Sequence, residues 1–90
     1  MKEIEIHTIN ADSLDDIHNI LKKQLSFPDY YGNNLDALYD ILTGEIELPL
    51  IVRWKDYKKT EKKIGHGVKK IASVFKQAAK VEKQFKIQFE

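Results

Sequence analysis

Residues 48–54 read Leu-Pro-Leu-Ile-Val-Arg-Trp, a nearly continuous apolar run with β-branched side chains, and this run constrains the fold more than any other segment. A strand buried on both faces has that composition. Pro49 lies near its start, where a missing N–H does least harm to a ladder. With only 90 residues and no cysteine, the chain must cover this strand from one small core held by packing, without disulfides or thiolate metal sites. Hydrophobic residues at 42% beside charged residues at 32% give a globular balance rather than a disordered one. Residues 1–90 are therefore read as a single domain.

The flanking segments supply the other layers. Ile4 and Ile6 alternate with Glu3, Glu5 and His7, a period of two that predicts a strand over residues 2–7. Ser13 followed by Asp16 resembles a capping box, and Leu14, Ile17, Ile20, Leu21 and Leu25 then recur at helical spacing. That first helix stops before Pro28, and Phe-Pro-Asp-Tyr-Tyr-Gly-Asn-Asn reads as an ordered turn. A second helix runs from Asn34 as N-cap to Thr43, with Gly44 placed for a left-handed C-terminal residue. A short polar helix covers 56–63 and is broken by Gly65 and Gly67. A last helix turns Val68, Ile71, Ala72, Phe75, Ala78 and Ala79 inward, and Phe85, Ile87 and Phe89 alternate as a closing strand. The order predicts an α/β fold: a small three-stranded parallel sheet packed by about four helices, with right-handed crossovers.

Net charge is +1, but the charges are segregated. Residues 24–52 hold five acids and no Lys or Arg, whereas residues 53–90 hold twelve bases against four acids. In the second helix Leu35, Leu38, Ile41 and Leu42 share one side, while Asp36, Tyr39, Asp40 and Thr43 share an arc of roughly 100° on the other. Spacing alone makes Asp36 and Asp40 a solvated polar face. Helix energetics argue for more: Asp36 suits the first turn, but Asp40, Glu45 and Glu47 lie toward or beyond the C-terminus, where the macrodipole disfavours acids. An external cation would neutralise such a cluster. Tyr30, Tyr31 and Tyr39 surround it; each is ordinarily a core-edge residue, yet tyrosine beside an acidic face also has interface composition.

Other chemistries fit less well. Neighbouring carboxylates on one exposed helical face lack the cleft that general acid/base work needs, so no enzyme activity is expected. The acids do not follow a cation-loop pattern, and His7, His18 and His66 lack metal spacing; no cofactor or metal is expected. Gly65-His66-Gly67 is not a phosphate loop. The C-terminal lysines contain almost no Arg and no interleaved exposed aromatics, which reads as a solvated face rather than a nucleic-acid surface. Charges interrupt each apolar stretch of the N-terminus, and no stretch approaches the roughly 20 apolar residues of a membrane span. A cytoplasmic protein with no membrane partner, monomeric when free, is expected.

Phe-Pro-Asp-Tyr-Tyr-Gly-Asn-Asn-Leu-Asp-Ala-Leu-Tyr-Asp-Ile-Leu-Thr-Gly (27–44), followed by Glu-Ile-Glu-Leu-Pro-Leu-Ile-Val-Arg-Trp, resembles the barstar family. The likeness extends through the end of the first helix, Pro49 and Trp54, and Val74-Phe75 in the last helix, so it covers essentially the whole chain. It implies a three-stranded parallel sheet packed by helices, no catalysis, and non-covalent inhibition of an extracellular barnase-type ribonuclease while that enzyme is still in the producing cell. By position it implies a contact surface of Tyr30, Gly32, Asn34, Leu35, Asp36, Tyr39, Asp40, Thr43 and Gly44, flanked by Glu45, Glu47 and Gln77. Asp40 would take the place of a substrate phosphate before Arg and His side chains, Asp36 would pair with a basic group on the rim, and Tyr30 would pack over a catalytic His. This chain departs from the family pattern at Tyr39 and Glu45, where tryptophan is usual, at Gln77, where an acid is usual, and in its overall charge of +1. A cis Leu48–Pro49 bond is also implied. The alternative reading is an acidic-face interaction module for another basic partner.

Overall fold

The structure is a computed structural model that describes residues 2–90. Its elements follow in the order β1 (Lys2–His7), α1 (Leu14–Gln24), α2 (Leu35–Gly44), β2 (Leu50–Lys55), α3 (Tyr57–Ile64), α4 (Gly67–Val81) and β3 (Phe85–Phe89). The strands make one sheet in the order β1-β2-β3, parallel throughout. Ile4, Val52 and Ile87 stand in one row across it, and Ile6, Trp54 and Phe89 in the next. The predicted three-stranded parallel sheet with four helices is the observed architecture.

The apolar run behaves differently from the sequence expectation. Leu50, Val52 and Trp54 are buried while Ile51, Arg53 and Lys55 are only half-buried, so β2 is covered fully on one face rather than on both. The alternation continues in its neighbours, where Glu3, Glu5, His7, Lys86 and Gln88 are exposed. The open face is closed electrostatically. Arg53 donates from Nε to Glu90 at 2.8 Å and from Nη1 to Glu5 at 3.2 Å, with Glu3 3.9 Å away, and Lys55 meets Glu90 at 2.7 Å. One guanidinium thus joins side chains from both edges of the sheet, and it shields the middle of a surface that parallel sheets ordinarily bury.

On the packed face Ile6, Val52, Trp54, Phe75 and Phe85 are buried with Ile17, Leu21, Leu38, Ile41, Leu42 and Ile71. Trp54 makes edge-on contacts with Phe75 and Tyr57 at centroid distances of 5.7 and 5.1 Å, geometries that the aromatic quadrupole favours. Its indole N–H donates to Thr8 Oγ1 at 2.9 Å, Thr8 lies 2.6 Å from Thr60 Oγ1, and Thr60 donates to the Asp56 carbonyl at 2.9 Å. Every polar atom in this buried chain is satisfied.

Both glycines after α3 are needed, for different reasons. Gly65 has φ 111°, a left-handed value that a side chain would strain. Gly67 begins α4 where a Cβ would lie 2.4 Å from Leu14 Cδ1, so its bareness lets the starts of α1 and α4 approach. The strand also begins later than the apolar run: Leu48 and Pro49 precede it, joined by a cis peptide bond.

Candidate functional site

The turn between α1 and α2 is fastened before the site begins. Phe27 and Tyr31 are buried, with their rings edge to face at 4.8 Å. The Tyr31 hydroxyl lies 2.6 Å from His18 Nδ1, and burial pushes the Tyr31 phenol up and the His18 imidazole down, Asp15 partly opposing the latter. Tyr31 is therefore core, whereas its neighbour Tyr30 is 71% exposed. Asn33, in the left-handed region at φ 53°, donates to Asp15 Oδ1 at 2.8 Å and Asn19 Oδ1 at 3.1 Å. Lys22 adds a bond to the Asp29 carbonyl at 3.2 Å. A loop fixed at so many points has little ordering entropy left to lose when a partner arrives.

Helix α2 follows directly. Asn34 Oδ1 accepts from the Ala37 N–H at 2.8 Å, the side-chain cap that the sequence predicts. Its Nδ2 donates to the Gly32 carbonyl at 3.3 Å, and a Cβ on Gly32 would sit 3.1 Å from that same nitrogen. Gly32 thus leaves room for the cap. The apolar side of the helix buries Leu38, Ile41 and Leu42, packing mainly against α4. Leu35 and Tyr39 are half-buried at the margin, and Asp36 and Asp40 are exposed on the far side.

The C-terminal end differs from expectation. Gly44 is the last helical residue, and its φ is not positive; Glu45 forms the C-cap with φ −125°, its N–H bonded to the Ile41 carbonyl. A left-handed glycine is unnecessary because the Glu45 and Ile46 N–H groups both reach the Ile41 carbonyl, at 3.0 and 2.9 Å. Gly44 instead leaves open space on the surface, with nothing within 4 Å of where a Cβ would stand. Thr43 returns its hydroxyl to the Tyr39 carbonyl at 2.8 Å. Tyr30 reaches over from the loop and donates its hydroxyl to Glu45 Oε1; that bond raises the phenol pKa, with slight desolvation at the contact and the carboxylate charge adding to it.

Charge on this face is uncompensated. Among the described residues, none of Asp36, Asp40, Glu45 and Glu47 has a cationic side chain within 4.0 Å, and all four are exposed. Elsewhere among the described residues Glu3, Glu5, Asp12, Glu61 and Glu90 have such a partner and Asp15, Asp16, Asp29, Asp56 and Glu82 do not, so what sets this face apart is four unpartnered acids gathered on one helix and its C-terminal end. No basic residue occupies the last turn of α2, so the dipole penalty read from the sequence stands unrelieved. A cavity of about 200 Å³ opens beside the C-terminal end, lined by the apolar Leu25, Phe27, Ile41 and Ile46, by Glu45 and Glu47, and by Lys2, which stands within 4.0 Å of neither carboxylate.

The residues singled out in the sequence thus divide. Tyr30, Gly32, Asn34, Leu35, Asp36, Tyr39, Asp40, Thr43, Gly44 and Glu45 lie on one loop and the helix that follows it, with Glu47 two residues beyond the C-cap. Gln77 is exposed on α4, the helix that supports α2, and no bond ties it to the acids. The Asn33 clamp to Asp15 and Asn19 was not legible as function; the Gly-Asn-Asn triplet signals only a residue able to enter the left-handed region.

Two comparisons bear on this arrangement. The family model described as Barstar (barnase inhibitor) matches residues 1–90. The chain belongs to the barstar family. It is also similar to a Bacillus subtilis (strain 168) protein named "Putative ribonuclease inhibitor YrdF", 36% identical over 88 residues that make up 97% of each chain. Within this barstar-family fold, the capped α2, its clamped loop and its unpaired acids form one continuous surface.

Proposed function

We propose that this protein inhibits a barnase-type ribonuclease by laying α2 and the preceding loop over the enzyme's cationic active site. Four exposed carboxylates without an internal cation carry the reading: Asp36 and Asp40 on a helix whose opposite side is buried and whose first turn is capped, Glu45 at its C-cap and Glu47 just beyond. Family membership supports the partner class, and so does the name of the Bacillus subtilis relative.

In this reading Asp40 replaces a substrate phosphate before the enzyme's Arg and His side chains, while Asp36 pairs with a basic group on the rim. Charge-assisted bonds of this kind are the strong ones, and the protein supplies acceptors that need not break an internal ion pair first. Tyr30, Leu35, Tyr39 and the bare surface at Gly44 exclude water around them, as the less polar contacts around a hot spot do. The clamped turn keeps the two carboxylates and Tyr30 in register. The proposed action is occlusion, so the chain itself performs no chemistry, and the opposite charges of the two surfaces also accelerate encounter.

The test is an inhibition titration against a panel of secreted barnase-type ribonucleases. Activity is expected to fall stoichiometrically at one inhibitor per enzyme. Asp40→Ala should keep the fold and raise Kd at least tenfold, since one charge-assisted hydrogen bond is worth about 1.5–3 kcal/mol, while Glu47→Ala has a much smaller effect. Equal effects would remove Asp40 from this role. Failure to bind any such enzyme would favour an acidic-face module for a different basic partner.

A further inference from the structure

A second surface lies on α3, α4 and the end of β3, and it has the opposite charge. Tyr57, Lys58, Lys69, Ser73, Lys76 and Phe89 line a groove of about 500 Å³ there. Residues from the acidic face of α2 do not reach it. The sequence leaves these lysines as a solvated face for want of interleaved aromatics, but the fold brings in two. Tyr57 and Phe89 are half-buried with their rings edge to face at 4.9 Å, and the Lys76 ammonium lies 5.3 Å from the Phe89 centroid. Lys58 and Lys76 have no carboxylate partner among the described residues. Lys69, itself exposed, lies 3.5 Å from the half-buried Glu61, the one acid in the lining, and at that long separation its ammonium remains free to turn toward an incoming anion.

We infer that this groove binds a nucleotide unit, its phosphate between the Lys58, Lys69 and Lys76 ammonium groups and its base against the Tyr57 and Phe89 rings. Both halves of that ligand are required. Lysines alone would accept an acidic peptide or a free phosphate equally well, but neither uses an aromatic face, whereas nucleobases stack on such rings irrespective of sequence. The cation over Phe89 marks where a planar group fits: a base arriving there displaces the Lys76 ammonium from the ring toward the phosphate, exchanging a cation–π contact for an ion pair. Ser73, from the same helix as Lys69 and Lys76, adds a hydroxyl that donates to a phosphate oxygen. The source of the nucleotide is a free mononucleotide or a single RNA strand. This site does not depend on the ribonuclease reading, because it shares no residue with the acidic face.

The full chain, labelled with ¹⁵N, is titrated with adenosine 5′-monophosphate, inorganic phosphate, a hexauridylate strand and a hexaglutamate peptide. Saturable amide shifts are expected at Tyr57, Ser73 and Phe89 with AMP and hexauridylate, while α2 stays unmoved. Tighter binding of hexauridylate identifies an RNA strand as the ligand, and equal binding identifies the free nucleotide; either supports the site. Lys58→Gln together with Lys76→Gln should reduce the log–log salt slope for hexauridylate by about 1.4, at about 0.7 for each phosphate contact on a single strand. Lys83→Gln with Lys86→Gln, outside the groove, should leave both slope and affinity unchanged. Phe89→Leu should weaken AMP by roughly fivefold or more and leave phosphate alone, since stacking of one base is worth that much or more. Equal losses from the two lysine pairs, phosphate binding as tightly as AMP, hexaglutamate matching hexauridylate, or no saturable shift would each overturn the assignment.

Discussion

Thr8→Val tests whether the buried polar chain beneath the sheet organises the core. Only one proton arrangement satisfies it: Trp54 Nε1–H donates to Thr8, Thr8 to Thr60, and Thr60 to the Asp56 carbonyl. Thr8, Trp54 and Thr60 are all 0% exposed, so water cannot replace a lost partner. Valine keeps the shape of threonine but strands the indole N–H, which costs about 1–3 kcal/mol, and deletes the Thr8–Thr60 bond, which costs about 0.5–1.5 kcal/mol. The added methyl returns about 0.8 kcal/mol through burial. The net loss is therefore about 2 kcal/mol, a fall of roughly 8–16 °C in Tm for a domain of this size. Thr60→Val should cost less, about 1 kcal/mol, because the Asp56 carbonyl still accepts from the Thr60 N–H at 3.0 Å. The bond between the two threonines is lost in either single variant, so the double variant should fall short of additivity by about 1 kcal/mol. Urea unfolding followed by Trp54 fluorescence measures all three. A Thr8→Val loss below about 0.5 kcal/mol, or strict additivity, would refute the chain as described.

Three further outcomes follow from the same geometry. Arg53 and then Lys55 hold the Glu90 carboxyl down at about 2, against 4.5 for an unperturbed side chain; its stabilisation is therefore full above pH 4.5 and lost as pH falls through about 2. The Tm gap between wild type and Glu90→Gln should close over that window, and a gap that is the same at pH 7 and pH 2 would count against the network. Burial keeps the His18 imidazole below its ordinary 6.5, so the folded state resists protonation and stability should decline as pH drops below about 6.5; pH-resolved urea melts of His18→Gln should lack that step. Ser13→Ala and Asn34→Ala each remove an N-cap bond and should each cost about 1 kcal/mol by chemical denaturation, yet only Asn34→Ala should weaken ribonuclease inhibition; parallel losses of inhibition would detach the cap from the binding surface.

The helices and the acidic segment were legible because their signals are local. Asn34 needs only Ala37, three residues on, to act as a cap, and the buried side of α2 follows from the helical period of Leu38, Ile41 and Leu42. The Ser13–Asp16 box is likewise local, although the Asp16 carboxylate reaches the Asp12 N–H at 2.9 Å rather than that of Ser13. Gly44 was misread because glycine after a helix suits a left-handed cap in most contexts; here Glu45 and Ile46 satisfy the Ile41 carbonyl instead. Tyr30 and Tyr31 are adjacent and chemically identical, and only the presence of His18 and Phe27 on one side of the turn buries the second of them.

By itself, then, the order of residues determined the element types, the parallel α/β class, the side of α2 that packs and the charge of the side that does not, since each depends on periodicity or on neighbours a few bonds away. The tertiary structure decided which groups meet. Arg53 finds Glu5 and Glu90 across three strands drawn from distant parts of the chain, which shields the less covered face of the sheet. Phe89 arrives beside Tyr57 and Lys76, and Asn33 locks onto Asp15 and Asn19. Such pairings are settled by how the whole core closes, because side chains far apart in the chain become neighbours only after the layers around them have packed.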